Sequence, residues 1–139
     1  MENKEIIDQL ENIASKQDFA ASSAELVALW ASSGAGIEIL DPILQFMEEH
    51  PSIDYGAPGA LVHFAERYFD KGYEEKLMNS IRRKPMRLTI WMLNRVINGT
   101  KAPDIKRHFI AAMEEAKLNQ FTDSITLQQI NRFLERITI

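Results

Sequence analysis

Three histidines and twenty Asp and Glu residues are the side chains of this 139-residue chain best suited to chemistry, and no cysteine accompanies them. Without Cys there is no disulfide, no thiolate metal site and no cysteine nucleophile. His50, His63 and His108 stand apart in the sequence. None sits in the H-E-x-x-H spacing that sets two imidazoles on one helical face. No metal and no cofactor is expected. His63 and His108 each precede a phenylalanine of an apolar stripe, which reads as a structural position flanking the core. Glu48-Glu49 and Glu114-Glu115 are adjacent pairs. Neighbours on a helix point about 100° apart, so these suit a solvated surface better than an acid/base couple. The run Ser32-Ser33-Gly34-Ala35-Gly36 lacks both G-x-G-x-x-G and a phosphate-loop Lys, and it follows a helical pattern, so it reads as a plain loop. No reaction is assignable, and the expectation is a protein that binds and does not turn over a substrate.

Charge is the stronger signal. Residues 1–70 hold three Lys/Arg against thirteen Asp/Glu, a net −10. Residues 71–139 hold thirteen against seven, a net +6. An acidic half repels nucleic acid and attracts a basic protein. The basic half carries Arg82-Arg83-Lys84, Arg87 and Lys106, a candidate phosphate patch. Both halves also read simply as solvated faces that neutralise each other.

Helices must position all of these groups. Ile6, Leu10 and Ile13 recur at helical spacing, with Glu5, Asp8, Gln9 and Asn12 facing away. Ser22 and Glu25 have the spacing of a capping box. Asp41-Pro42 and Pro58 read as helix starts, and His50-Pro51 as a helix end. Tyr73, Leu77 and Ile81 make a short stripe stopped by Pro85. Residues 86–98 are apolar on most sides, which predicts the most buried helix, with Trp91 in the core. Pro103 opens another helix, and Asp123 caps the last. No stretch alternates in polarity as a strand does.

A repeat runs through this series. Ala57-Pro58 and His63-Phe64 recur as Ala102-Pro103 and His108-Phe109, offset by 45 residues, and Pro42 recurs as Pro85, offset by 43. Such a period lies in the range of HEAT and armadillo units. The expected fold is a single all-α domain over residues 1–139. It has about eight helices stacked as antiparallel αα-hairpins in a HEAT-like superhelix. Asn94 and Arg95 share stripes with apolar residues of the 86–98 helix, and Glu66 is flanked by Val62 and Phe69. Glu66, Asn94 and Arg95 therefore read as a structural polar network, with Glu66 the acid for a buried guanidinium.

The same residues carry a resemblance. Gly56-x-Pro58-Gly59-x-Leu61-Val62-His63-Phe64-x-Glu66, then Ser80-Ile81-x-Arg83-Lys84-Pro85, then Trp91-Met92-Leu93-Asn94-Arg95-Val96-x-Asn98 resemble a family of small bacterial proteins. That family is similar to the all-helical immunity proteins of polymorphic toxin and contact-dependent inhibition systems. The match covers about residues 55–100. It implies a binding protein that neutralises a cognate toxin domain by steric and electrostatic occlusion. Many such toxins are nucleases with cationic clefts, so the partner would be a basic protein. The expected contacts are Glu38, Asp41, Glu48, Glu49 and Asp54, clustered in sequence within the acidic half. Two other readings stay open, a generic HEAT-like interaction scaffold and, against the acidic half, a nucleic-acid binder. The polar, acidic start differs from a secretion signal, and no apolar run approaches the roughly 18 residues of a membrane span. A cytoplasmic protein is expected.

Overall fold

The structure, a computed structural model, describes residues 2–137. Among these residues there are eight α-helices and no strand, so the protein is all-α. Contacts gather the chain into two compact units, Met1–Tyr73 and Glu74–Ile139.

The first unit contains α1 (Asn3–Ile13), α2 (Phe19–Ser32), a 3-10 turn (Ile37–Ile39), α3 (Leu40–Glu49) and α4 (Ala60–Glu66). α1 packs on α3, α2 on α4, and α1 against α2. α2 begins earlier than the Ser22 capping pattern suggests. Asp18 is its cap, with its carboxylate accepting from the Ala21 N–H at 3.1 Å. An Asp already in place three residues upstream of that N–H leaves Ser22 inside the helix. Pro58 also departs from expectation. It lies in the loop behind a cis Ala57-Pro58 bond, and α4 starts at Ala60, after Gly59 at φ +98°. A Cβ on Gly59 would come within 1.8 Å of the Tyr55 carbonyl oxygen, so only glycine fits there. α3 ends at His50-Pro51, as the sequence predicts.

The core of this unit is aromatic. Phe46 stacks on Phe19 at 5.8 Å between ring centroids, and Tyr55 stands edge-on to both. Trp30 is fully buried, edge-on to Phe64 at 6.4 Å, and its indole N–H donates to Gln9 Oε1 at 2.7 Å. α3 is the most enclosed helix of the unit, with seven of its ten residues buried.

The second unit is formed by α5 (Tyr73–Arg83), whose first residue closes the first unit, with α6 (Arg87–Gly99), α7 (Pro103–Ala116) and α8 (Ser124–Arg136). α6 packs against both α7 and α8, and α7 against α8. Pro103 is the first residue of α7, and Asp123 caps α8 by accepting from Thr126 N–H at 2.7 Å, both as the sequence predicts. Two side chains serve helix ends. Asn119 Nδ2 donates to the Arg82 carbonyl at the end of α5, and Gln129 Nε2 donates to the Arg87 carbonyl at the start of α6.

α6 is not buried all round. Thr89, Ile90, Met92, Leu93, Val96 and Ile97 face inward. Arg87, Trp91, Arg95 and Asn98 fall at i, i+4, i+8 and i+11, one stripe that turns outward. Trp91 is therefore only half-buried and Arg95 is exposed. The guanidinium expected in the core instead lies over the Trp91 ring, 5.0 Å from its centroid.

Candidate functional site

The acidic excess of the first unit is arranged by helical geometry. α1 buries Ile6, Leu10 and Ile13, so residues three apart on its other side share a face. Glu5, Asp8 and Glu11 are such a set, and all three are exposed. α3 does the same with Asp41, Gln45 and Glu49, four apart and exposed. α1 and α3 pack together, and the two stripes meet at one end. There the ligand atoms of Glu11, Glu49 and His50 lie within 4.8 Å of one another.

His50 is the hinge of that junction. It sits just past the end of α3, and its Nε2 is 2.5 Å from Glu11 Oε1. Its ring lies against Phe46 at 4.4 Å, and its carbonyl accepts from the Tyr55 hydroxyl at 2.8 Å. Burial pushes the Tyr55 phenol well above its ordinary value, and the Glu11 carboxylate adds to the rise.

The residues expected to touch a partner have separate fates. Asp41 and Glu49 lie on the outer stripe of α3. Glu48, although seven residues after Asp41 and so on nearly the same side of the helix, is enclosed, with only 8% of it exposed. A carboxylate so placed offers little charge to an approaching protein. Glu38 is exposed in the 3-10 turn and accepts from Gly36 N–H at 3.0 Å. Asp54 is exposed in the loop after α3 and accepts from Gly56 N–H at 3.0 Å. These two shape local turns while remaining on the surface.

The residues expected to form a polar network differ in exposure. Glu66, at the end of α4 in the first unit, is half-buried, with its Oε1 3.9 Å from His63 Nδ1. Asn94 is half-buried and Arg95 exposed on α6 of the second unit. His63 and His108 are both exposed beside the buried Phe64 and Phe109, so the repeat is preserved as an inward Phe and an outward His.

In the second unit Arg82, Arg83 and Arg87 are exposed and Lys84 and Lys106 half-buried. Arg82 Nη1 donates to Asn79 at 3.0 Å. Near it is an open hollow of about 300 Å³ between Ile81 of α5 and Ala112 and Ala116 of α7, rimmed by Arg82, Glu115 and Leu118. Leu118 is 89% exposed, and Phe121 and Ile125 are exposed beyond it.

Two groups of surface residues escape the sequence reading. The Glu5-Asp8-Glu11 stripe is visible in the spacing, but only packing shows that it joins the stripe of α3. Glu11 and His50 are 39 positions apart, and no local motif links them. Among the described residues no helix is long and apolar enough to cross a membrane. No family model, no curated protein and no solved structure matches the chain.

Proposed function

We propose that this protein binds another protein and performs no catalysis, and that it is an immunity protein for a cognate bacterial toxin domain. The observation that carries the reading is the pair of acidic stripes, Glu5-Asp8-Glu11 and Asp41-Glu49, brought together by the packing of α1 on α3. Two stripes of exposed carboxylate on packed helices suit a cationic cleft, such as a nuclease uses for phosphate backbones. Occupying that cleft blocks it both sterically and electrostatically. The motif over residues 56–98, similar to immunity proteins, supports the same function, with most of its apolar positions serving as scaffold. α1 on α3 and α2 on α4 is also how stacked hairpins pack, and we read the first unit as HEAT-like on that basis.

The test is to mix the purified protein with the toxin domain encoded beside it, in an assay of the toxin's activity and by gel filtration. The immunity reading expects a stoichiometric complex and loss of toxin activity. No complex, or a complex that leaves the toxin active, overturns it. The exposed Leu118, Phe121 and Ile125 favour a second reading, an interaction scaffold that uses the apolar surface of the second unit. Binding unaffected by salt but lost in Phe121→Asp would favour that scaffold surface over the acidic stripes.

A further inference from the structure

We propose that Glu11, Glu49 and His50 form a binding site for a divalent transition-metal ion of the Zn2+ type. The site is assembled by tertiary structure, from the last turn of α1 and the C-terminal end of α3. Its three ligand atoms lie within 4.8 Å of one another. Two carboxylates this close repel each other, and a cation between them relieves the repulsion. The C-terminal end of α3 adds the negative end of a helix dipole at the same place.

The imidazole is already positioned. Phe46 supports one side of its ring, and the Tyr55 hydroxyl holds the His50 backbone carbonyl. One nitrogen and two oxygen donors select Zn2+ over Ca2+ and Mg2+, which prefer all-oxygen shells. Tetrahedral ligands about 2.0–2.2 Å from Zn2+ stand roughly 3.3 Å from each other. Nε2 and Glu11 Oε1, now 2.5 Å apart, must open by about an ångström, with Glu49 moving to complete the set. The His50 and Glu11 side chains are 29% and 42% exposed, so rotamer changes make this adjustment without moving a helix. Three protein ligands leave a fourth position for water or for a donor from another molecule. The site stands whether or not this face meets a toxin domain.

The chain has three histidines, which makes the test direct. Zn2+ is titrated into the full-length protein while the imidazole resonances are followed by NMR. His50 is expected to respond first and to saturate. His63, 3.9 Å from the Glu66 carboxylate, and His108 fall in no such cluster of three ligands among the described residues and respond at far higher Zn2+. Glu49→Gln and Glu11→Gln are each expected to weaken the His50 response about tenfold or more, since losing a ligand costs at least as much as losing a second-shell partner. His108→Gln leaves it unchanged, and Ca2+ and Mg2+ produce no His50 response. The proposal is overturned if His50 fails to respond, if all three histidines respond together, or if Glu49→Gln binds Zn2+ as the wild type does.

Discussion

The two units solve the same folding problem with different materials. Met1–Tyr73 carries four Lys/Arg against thirteen Asp/Glu, and its core sets two ring clusters, Phe19 with Phe46 and Tyr55 and Trp30 with Phe64, among aliphatic side chains. Glu74–Ile139 carries twelve Lys/Arg against seven Asp/Glu, and its core is mainly aliphatic and methionine: Met78, Met86, Ile90, Met92, Leu93, Met113 and Ile130. The first unit encloses its ring clusters and shows carboxylates outside, with Leu29 its one exposed large apolar side chain among the described residues. The second leaves Ile105, Leu118, Phe121 and Ile125 exposed. Rigid rings fix neighbouring side chains in place, whereas methionine tolerates repacking. An ordered array of surface charge is thus better supported by the first unit, and an adaptable apolar contact by the second.

The contrast between a buried and a surface tryptophan gives the largest expected effect. Trp30→Ala should cost about 3–5 kcal/mol in urea denaturation, because it removes a fully buried ring and orphans Gln9. Trp91→Ala should cost less than half as much, since its ring lies on the outward stripe of α6. Equal losses would show that the two rings are equally enclosed.

Tyr55→Phe isolates the hydroxyl that holds His50, and at neutral pH it should cost about 1 kcal/mol. Its pH signature is sharper. The folded phenol has a raised pKa, while the unfolded one ionises near its ordinary value of about 10. The folded state then binds more protons, so stability present below that value falls as pH rises above it. Tyr55→Phe should remove this alkaline loss, and an unchanged alkaline unfolding curve would contradict the assignment.

Asp123→Ala in the second unit should cost about 1 kcal/mol, as should Asp18→Ala in the first, since each removes a helix cap. For Asp123, the Thr126 hydrogen bonds lower the carboxyl pKa. Its stabilisation is present above the ordinary carboxylate value and is lost as pH falls through the lowered one. Asp123→Ala should therefore show a shallower acid loss than the wild type in thermal melts. Arg95→Met should have the smallest effect, under about 1 kcal/mol, because an exposed cation over an aromatic face contributes little. A loss of several kcal/mol would restore Arg95 to a buried network.

Local chemistry made much of this fold legible in the sequence. Pro103, Asp123 and His50-Pro51 mark helix ends through donors and torsions that act within four residues, and the structure places those ends as expected. Errors arose where two local signals competed. Asp18 outranked Ser22 as a cap, and Gly59 delayed the start of α4 past Pro58. Composition misled at α6, where Trp91 belongs by hydrophobicity to the core but by angle to the outward stripe. For the site, adjacency was the trap. Glu48 and Glu49 look alike in sequence, yet the packed structure buries the first and exposes the second. The meeting of Glu11 with His50 was not legible, because it depends on how α1 lies along α3.

If the acidic stripes of α1 and α3 meet the proposed partner, association kinetics will report it. Asp8→Lys combined with Asp41→Lys reverses one exposed charge on each helix and leaves Glu11, Glu49 and His50 untouched. Binding to the proposed toxin partner is measured for wild type and this variant at low and moderate salt. The variant is expected to associate at least about tenfold more slowly at low salt, with a rate that depends less on salt and with dissociation little changed. An unchanged association rate with the same salt dependence would contradict that expectation and move the contact to the surface around Leu118, Phe121 and Ile125.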